Sequence, residues 1–162
     1  NFMSLDLSKI KDSKKLSEKK RNYIIEDMIN KNCKFGLGFA NNRDIDLINI
    51  KNATLLAMKN SIENIGLKID AALVDGKDKM LDVDFYQNTV VQGDDKCKVI
   101  GLSSILAKFI RDFIIRKYDR VHPYYKLFNN VGYGTEEHIE NIGRFGKSLF
   151  HRKSFKINLI DT

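Results

Sequence analysis

Apolar residues recur along this chain with two periods, one suited to helices and one to short strands. After a polar, irregular opening that ends in "KDSKKL" (11–16), Ser17 can cap a helix running to about Asn32. Tyr23, Ile24, Ile25, Met28 and Ile29 gather on its inner side. "CKFGLGFA" (33–40) has the length and composition of a strand, with Gly36 and Gly38 allowing close packing or a bulge. "NNRDIDLINI" (41–50) suggests a turn and a short helix, leading into a second helix through "KNATLLAMKNSIENIG" that stops near Gly66. "IDAALVDG" (69–76) and "NTVVQGDD" (88–95) each predict a short strand ending in a turn. A long helix follows over about 97–119, closed off before the only proline, Pro123. "VGYGTEEH" (131–138) predicts a glycine-rich turn into a helix capped by Thr135, with Glu136 and Glu137 in its positive first turn.

Strands alternating with helices indicate an α/β fold. No repeat, linker or low-complexity segment divides the chain, so residues 1–162 are expected to form a single domain. That length suffices for a real core, and 43% apolar with 30% charged residues is globular composition. No apolar run approaches the ~20 residues of a membrane span, and no signal peptide opens the chain. The expectation is therefore no membrane, a cytoplasmic location and, by default, a monomer. The two cysteines, Cys33 and Cys97, lack metal-ligand spacing, and the three histidines are scattered. A metal would have to be held by carboxylates, which suits Mg²⁺ or Mn²⁺. The net charge of +7 favours a polyanionic partner. Coding bias toward Lys, Ile and Asn accounts for the charge equally well. The chain opens on Asn1 rather than methionine, as a fragment would.

Several residues invite chemistry, each with a plainer reading beside it. Asp75 of "LVDG" ends an apolar strand, where open α/β sheets place their sites, but Asp-Gly is also a common turn pair. Asp112 lies on the long helix, whose apolar residues cover most of its circumference, and a buried acid there needs a reason. It shares a side with Lys108, flanked by Gly101 and Ser104, with Ile105 and Ile115 close by. It is either the partner of Lys108 in an i,i+4 pair worth ~0.3 kcal/mol, in the weaker order, or a carboxylate that helps to hold a metal. Ser13, Lys14 and Lys15 form a loop before a helix that suits a phosphate backbone, or a solvated charged loop. Tyr133, between two glycines, can stack on a sugar or hydrogen-bond to a 2′-hydroxyl, or can pack on the core at a helix entry. His151, Arg152 and Lys153 meet phosphates or solubilise the terminus.

The order of the blocks is more specific than any one of them. "DSKKLSEKKR", "NATLLAM", "LVDG", "SSILAKFIRD", "GYGTEEH" and "HRKSF" in succession resemble ribonuclease HII over nearly the whole chain, from around residue 11. The resemblance implies a ribonuclease H-like fold: a mixed sheet flanked by helices, with a C-terminal helical part. It implies an endonuclease that cuts the RNA strand of RNA–DNA hybrids and nicks duplex DNA at embedded ribonucleotides. Four carboxylates around two Mg²⁺ or Mn²⁺ ions would carry the hydrolysis, leaving a 3′-hydroxyl and a 5′-phosphate. Carried over by motif, Asp75 is a metal-ligating carboxylate and Asp112 the last of the set. Tyr133 reads the ribose 2′-hydroxyl. The loop of Ser13, Lys14 and Lys15, together with Lys96 and Arg152, contacts nucleic acid.

The chain departs from the family pattern at its start. The first family motif, Asp-Glu-Ala-Gly-Arg-Gly, has no match here, and the available acids Asp6, Asp12 and Asp44 sit in no such strand. The chain is therefore expected to carry half of the metal site, to lack the first strands of the sheet and to be unstable alone. Val131 stands where a lysine commonly precedes the glycine, and Cys97 where serine is usual. Two other readings remain: a homologue that binds hybrids without cutting them, and a related metal-dependent nuclease of the same fold.

Overall fold

In the computed structural model, which describes residues 16–156, Ser17 caps α1 (Glu18–Asn30) as predicted, its hydroxyl accepting from Lys20 N–H. The described chain divides into two compact units, residues 16–40 with 51–109 and residues 41–50 with 110–156.

In the first unit, α1 buries Ile24, Ile25 and Met28, whereas Tyr23 and Ile29, expected on the same side, are exposed. The apolar stripe of α1 is narrower than its five candidates suggest. Residues 33–40 form no ladder, contrary to the expected strand. Their two glycines lie directly against the backbone of α2 (Asn42–Glu63), and the close-packing alternative is the one realised. The turn, short helix and second helix expected over 41–66 appear as this α2, interrupted at Asn49 by φ 65° and ψ 165°. The unit boundary falls beside that break.

β1 (Ala71–Asp75) and β2 (Tyr86–Val90) pair in parallel, with Ala71 opposite Tyr86 and Asp75 opposite Val90. The link between them is braced by buried Gln87, whose side chain accepts from Met80 N–H at 2.8 Å and donates to Met80 O at 3.0 Å. A buried side-chain amide thus does for the loop what a ladder does for a strand. The short α3 (Gly93–Lys96) packs on both strands and leads into α4 (Lys98–Asp119), matching the long helix of the sequence pattern. Val74, Met80, Ile100, Leu102, Ile105 and Leu106 are the buried apolar residues of this part.

The second unit contains the end of α4, a 3-10 turn (Pro123–Tyr125), α5 (Leu127–Asn130) and α6 (Glu136–Phe145). Thr135 caps α6, its hydroxyl accepting from His138 N–H at 3.3 Å. Tyr125 is 2% exposed and donates its hydroxyl to Gly146 O at 2.6 Å. Buried Asn130 and His138 surround the Tyr125 carbonyl, Asn130 Nδ2 donating to it at 2.8 Å.

The described residues therefore form an α/β structure with a small parallel sheet and several helices, consistent with a ribonuclease H-like fold. No helix among them is long and apolar enough to cross a membrane.

Candidate active site and nucleic-acid interface

Parallel strands deliver their last side chains to the carboxyl edge of a sheet, where the next loop begins. Asp75 is the last residue of β1 and is half-buried. Its Oδ1 accepts the backbone N–H of Gly93 at 2.8 Å, so the amide that opens α3 fixes the carboxylate. The fit there is tight: a Cβ on Gly93 would stand 2.6 Å from Ile100 Cδ1 and 3.1 Å from Asp75 Oδ1, so both side chains would have to shift. The next residue, Asp94, is a second carboxylate, only 9% exposed. Reading the sequence singled out Asp75 and passed over Asp94, because "QGDD" reads as an ordinary polar turn. The signal that identifies Asp94 is the packing of α3 on β1 and β2. Lys96 is exposed on the same short helix and donates Nζ to Val91 O at 2.8 Å, which closes the turn after β2.

Oxygen donors of this kind suit a hard divalent cation, which commonly takes one or two carboxylates and completes its shell with water and phosphate. No three of His, Cys, Asp and Glu come together as a metal-holding group among the described residues. The carboxylate oxygens of Asp75 and Asp94 are of the donor type that Mg²⁺ or Mn²⁺ takes.

Asp112, Tyr133 and Arg152 belong to the second unit. Asp112 is 8% exposed, as its apolar helix implies, and its Oδ1 accepts from Arg111 Nη1 at 3.1 Å. The guanidinium of Arg111 also lies over the Tyr133 ring, 4.9 Å from its centroid. Asp112 and Tyr133, two separate candidates in the sequence, are thus joined through a residue that sequence reasoning did not select. Tyr133 itself is 54% exposed, so it does not pack on the core as the plainer reading had it.

Arg152 stacks its guanidinium on Phe155 at 4.0 Å. The segment around it is held by Asp46, whose carboxylate accepts from Lys153 N–H, Ser154 N–H and the Ser154 hydroxyl at 2.8, 2.8 and 2.6 Å. The hydroxyl bond of Ser154, then the two backbone bonds, hold the Asp46 carboxyl below its usual range. Asn42 Nδ2 adds a bond to Leu149 O at 2.9 Å. Asp46 and Asn42 were missed because their targets lie more than a hundred residues away in sequence. Ser13, Lys14 and Lys15 lie outside the described residues.

His151 is stacked on His138 with centroids 5.5 Å apart, and its Nδ1 accepts from Ser148 N–H at 3.0 Å. Burial, and then the neighbouring His138 and Lys147, lower its pKa from the ordinary 6.5. A histidine lowered on folding is neutral in both states above pH 6.5 and costs stability once the unfolded chain takes up a proton that the folded chain refuses. Thermal melts are expected to fall more steeply between pH 6.5 and 5 for the wild type than for His151→Asn. Equal slopes would remove His151 from the pH dependence.

Comparison with known proteins agrees with the motif order. A family described as Ribonuclease HII matches residues 2–158, so the match starts well before residue 11. Ribonuclease HII of Clostridioides difficile is 44% identical over 156 residues, covering 93% of this chain and 59% of the relative. That of Caldicellulosiruptor bescii is 42% identical over 151 residues, covering 93% of this chain and 73% of the relative. That of Trichormus variabilis is 37% identical over 156 residues, covering 96% and 69%. The chain thus spans between about three fifths and three quarters of the length of these relatives. With a family match over almost every residue and this identity to the named relatives, the chain belongs to the ribonuclease HII family.

Proposed function

We propose that the protein is an endonuclease that hydrolyses the RNA strand of RNA–DNA hybrids and nicks duplex DNA at single embedded ribonucleotides. Mg²⁺ or Mn²⁺ serves as cofactor in a two-metal hydrolysis that leaves a 3′-hydroxyl and a 5′-phosphate. The observation that carries this is Asp75 at the carboxyl edge of the parallel strands of a ribonuclease HII chain, its carboxylate fixed by the Gly93 N–H, with buried Asp94 next along the chain. The cofactor, when bound, supplies positive charge to the scissile phosphodiester and eases deprotonation of the attacking water. Asp75 and Asp94 hold it, and the Gly93 N–H keeps the Asp75 carboxylate in one orientation. Asp112 stands in this reading as a further carboxylate of the set. Tyr133 meets the ribose 2′-hydroxyl with an exposed ring. Arg152, Lys96 and the loop of Ser13, Lys14 and Lys15 contact the nucleic-acid backbone, a role the net charge of +7 supports. The whole chain is read as one monomeric, cytoplasmic nuclease domain.

The test is cleavage by the full-length protein of a DNA duplex containing one ribonucleotide, with Mg²⁺ or Mn²⁺ and with a chelator. Expected is a single metal-dependent nick bearing a 5′-phosphate, with the all-DNA duplex left intact. Salt-sensitive binding without any product would instead make the protein a hybrid-binding homologue. Cutting of all-DNA branched substrates would make it a different nuclease of the same fold.

A further inference from the structure

We propose that Arg111 is a positioning residue for the ring of Tyr133, anchored in that task by Asp112, and that the trio sets selectivity for a ribose-containing strand. The selectivity part rests on the reading of Tyr133 given above. The positioning part stands on geometry within the second unit.

The backbone beneath Tyr133 is fixed. Asn130 O accepts Tyr133 N–H at 2.9 Å, Asn130 Oδ1 accepts Gly132 N–H at 2.8 Å, and Tyr133 O accepts Thr135 N–H at 2.8 Å. Gly132 has φ +77°, and a Cβ there would stand 3.6 Å from Ile115 Cδ1 and 3.7 Å from Arg111 Nη2, so the loop closes directly onto Arg111. What these bonds leave open is the direction of a ring that is 54% exposed. A guanidinium 4.9 Å from the ring centroid restricts it, because a cation is attracted to the negative face of the ring and not to its positive edge. The guanidinium is restricted in turn, since one of its edges donates to Asp112, a buried carboxylate that cannot follow a wandering side chain. A ring already pointed at the sugar binds without the ordering cost of an unrestrained one. Lysine cannot replace arginine here: its single ammonium on a flexible stem can meet the carboxylate or the ring, while the planar fork meets both.

The chain contains no tryptophan, so Tyr133→Trp introduces a single indole reporter at the site. Its fluorescence anisotropy and acrylamide quenching are compared with Arg111 and with Arg111→Lys in the same background, after circular dichroism has shown both variants folded. Expected on loss of the guanidinium is lower anisotropy and about twofold stronger quenching, the sign of a ring released from a cation–π contact. Unchanged anisotropy and quenching would overturn the positioning role. On a duplex with one ribonucleotide, Arg111→Lys is expected to lower kcat/KM about tenfold without lowering Tm, and Arg111→Lys/Tyr133→Ala to fall no further than Tyr133→Ala alone. Effects that multiply would overturn the selectivity role. Full activity of Tyr133→Ala would instead refute the reading of Tyr133 as the sugar contact, and the indole signal would still decide whether Arg111 holds the ring.

Discussion

Asp75→Asn is expected to lower metal-dependent cleavage by about a thousandfold, equivalent to roughly 4 kcal/mol of lost transition-state stabilisation, while hybrid binding and the melting temperature hold. The substitution is matched in shape. An asparagine Oδ1 can still accept the Gly93 N–H, now made at 2.8 Å, so the link from β1 to α3 survives and only the charge is removed. Asp75→Ala breaks that link as well and should lose stability by the cost of an unpaired backbone donor, about 1–3 kcal/mol. The two variants together separate the charge from the anchor. Single-turnover cleavage beside a binding titration reads the difference, and full activity of Asp75→Asn would refute its place in the site. Asp94→Asn should behave as Asp75→Asn does if the two carboxylates share one cofactor. The same measurement on Asp112→Asn separates its two readings: a metal ligand lowers cleavage of every substrate, whereas an anchor of Arg111 chiefly lowers discrimination in favour of ribose.

Much of this arrangement is legible in the residues themselves, for reasons that differ by element. α1, the long α4 and the Thr135 cap follow from local rules, a helical period and a hydroxyl at the first turn, and these are satisfied within a few residues of sequence. Asp75 is legible for a similar reason, because an apolar run ending in Asp-Gly marks the end of a strand whatever follows it. The strand expected over 33–40 is not formed, since strand character is settled by a partner edge and not by composition. Asp94 and Arg111 were passed over for the same kind of reason. Nothing near Asp94 in sequence says that β1 lies beside it, and nothing near Arg111 says that a tyrosine twenty-two positions on will lie against its guanidinium. Asp112 was noticed because a charge on an apolar helix conflicts with its surroundings, and such conflicts concentrate where function is. The structure answers that conflict with a guanidinium partner.

Gly38→Ala is expected to destabilise the protein by roughly 3 kcal/mol, the upper range for forcing a methyl group into filled space, and to lower Tm by about 10 °C. Gly36 and Gly38 are two apart in a segment without regular structure, and both approach the C-terminal half of α2. Both meet the backbone of α2 or the turn that follows it: a Cβ on Gly38 would collide with the Ala57 carbonyl and stand 2.5 Å from Ser61 N, and one on Gly36 would collide with the Ser61 carbonyl and stand 2.7 Å from Ile65 N, just past the helix end. The obstacles are helix backbone, which cannot turn aside as a side-chain end can. Asn64 Nδ2 donates to Leu37 O at 2.8 Å and pins the segment between its glycines, so sliding away would break a bond as well. Gly134→Ala is the comparison, because a Cβ there meets only Ile139 Cδ1 at 3.9 Å, and its effect should stay within about 0.5 kcal/mol. Thermal melts of the two variants read the contrast directly. A Gly38→Ala protein that melts with the wild type would mean that residues 33–40 do not lie against α2, and the bulge alternative for the two glycines would return.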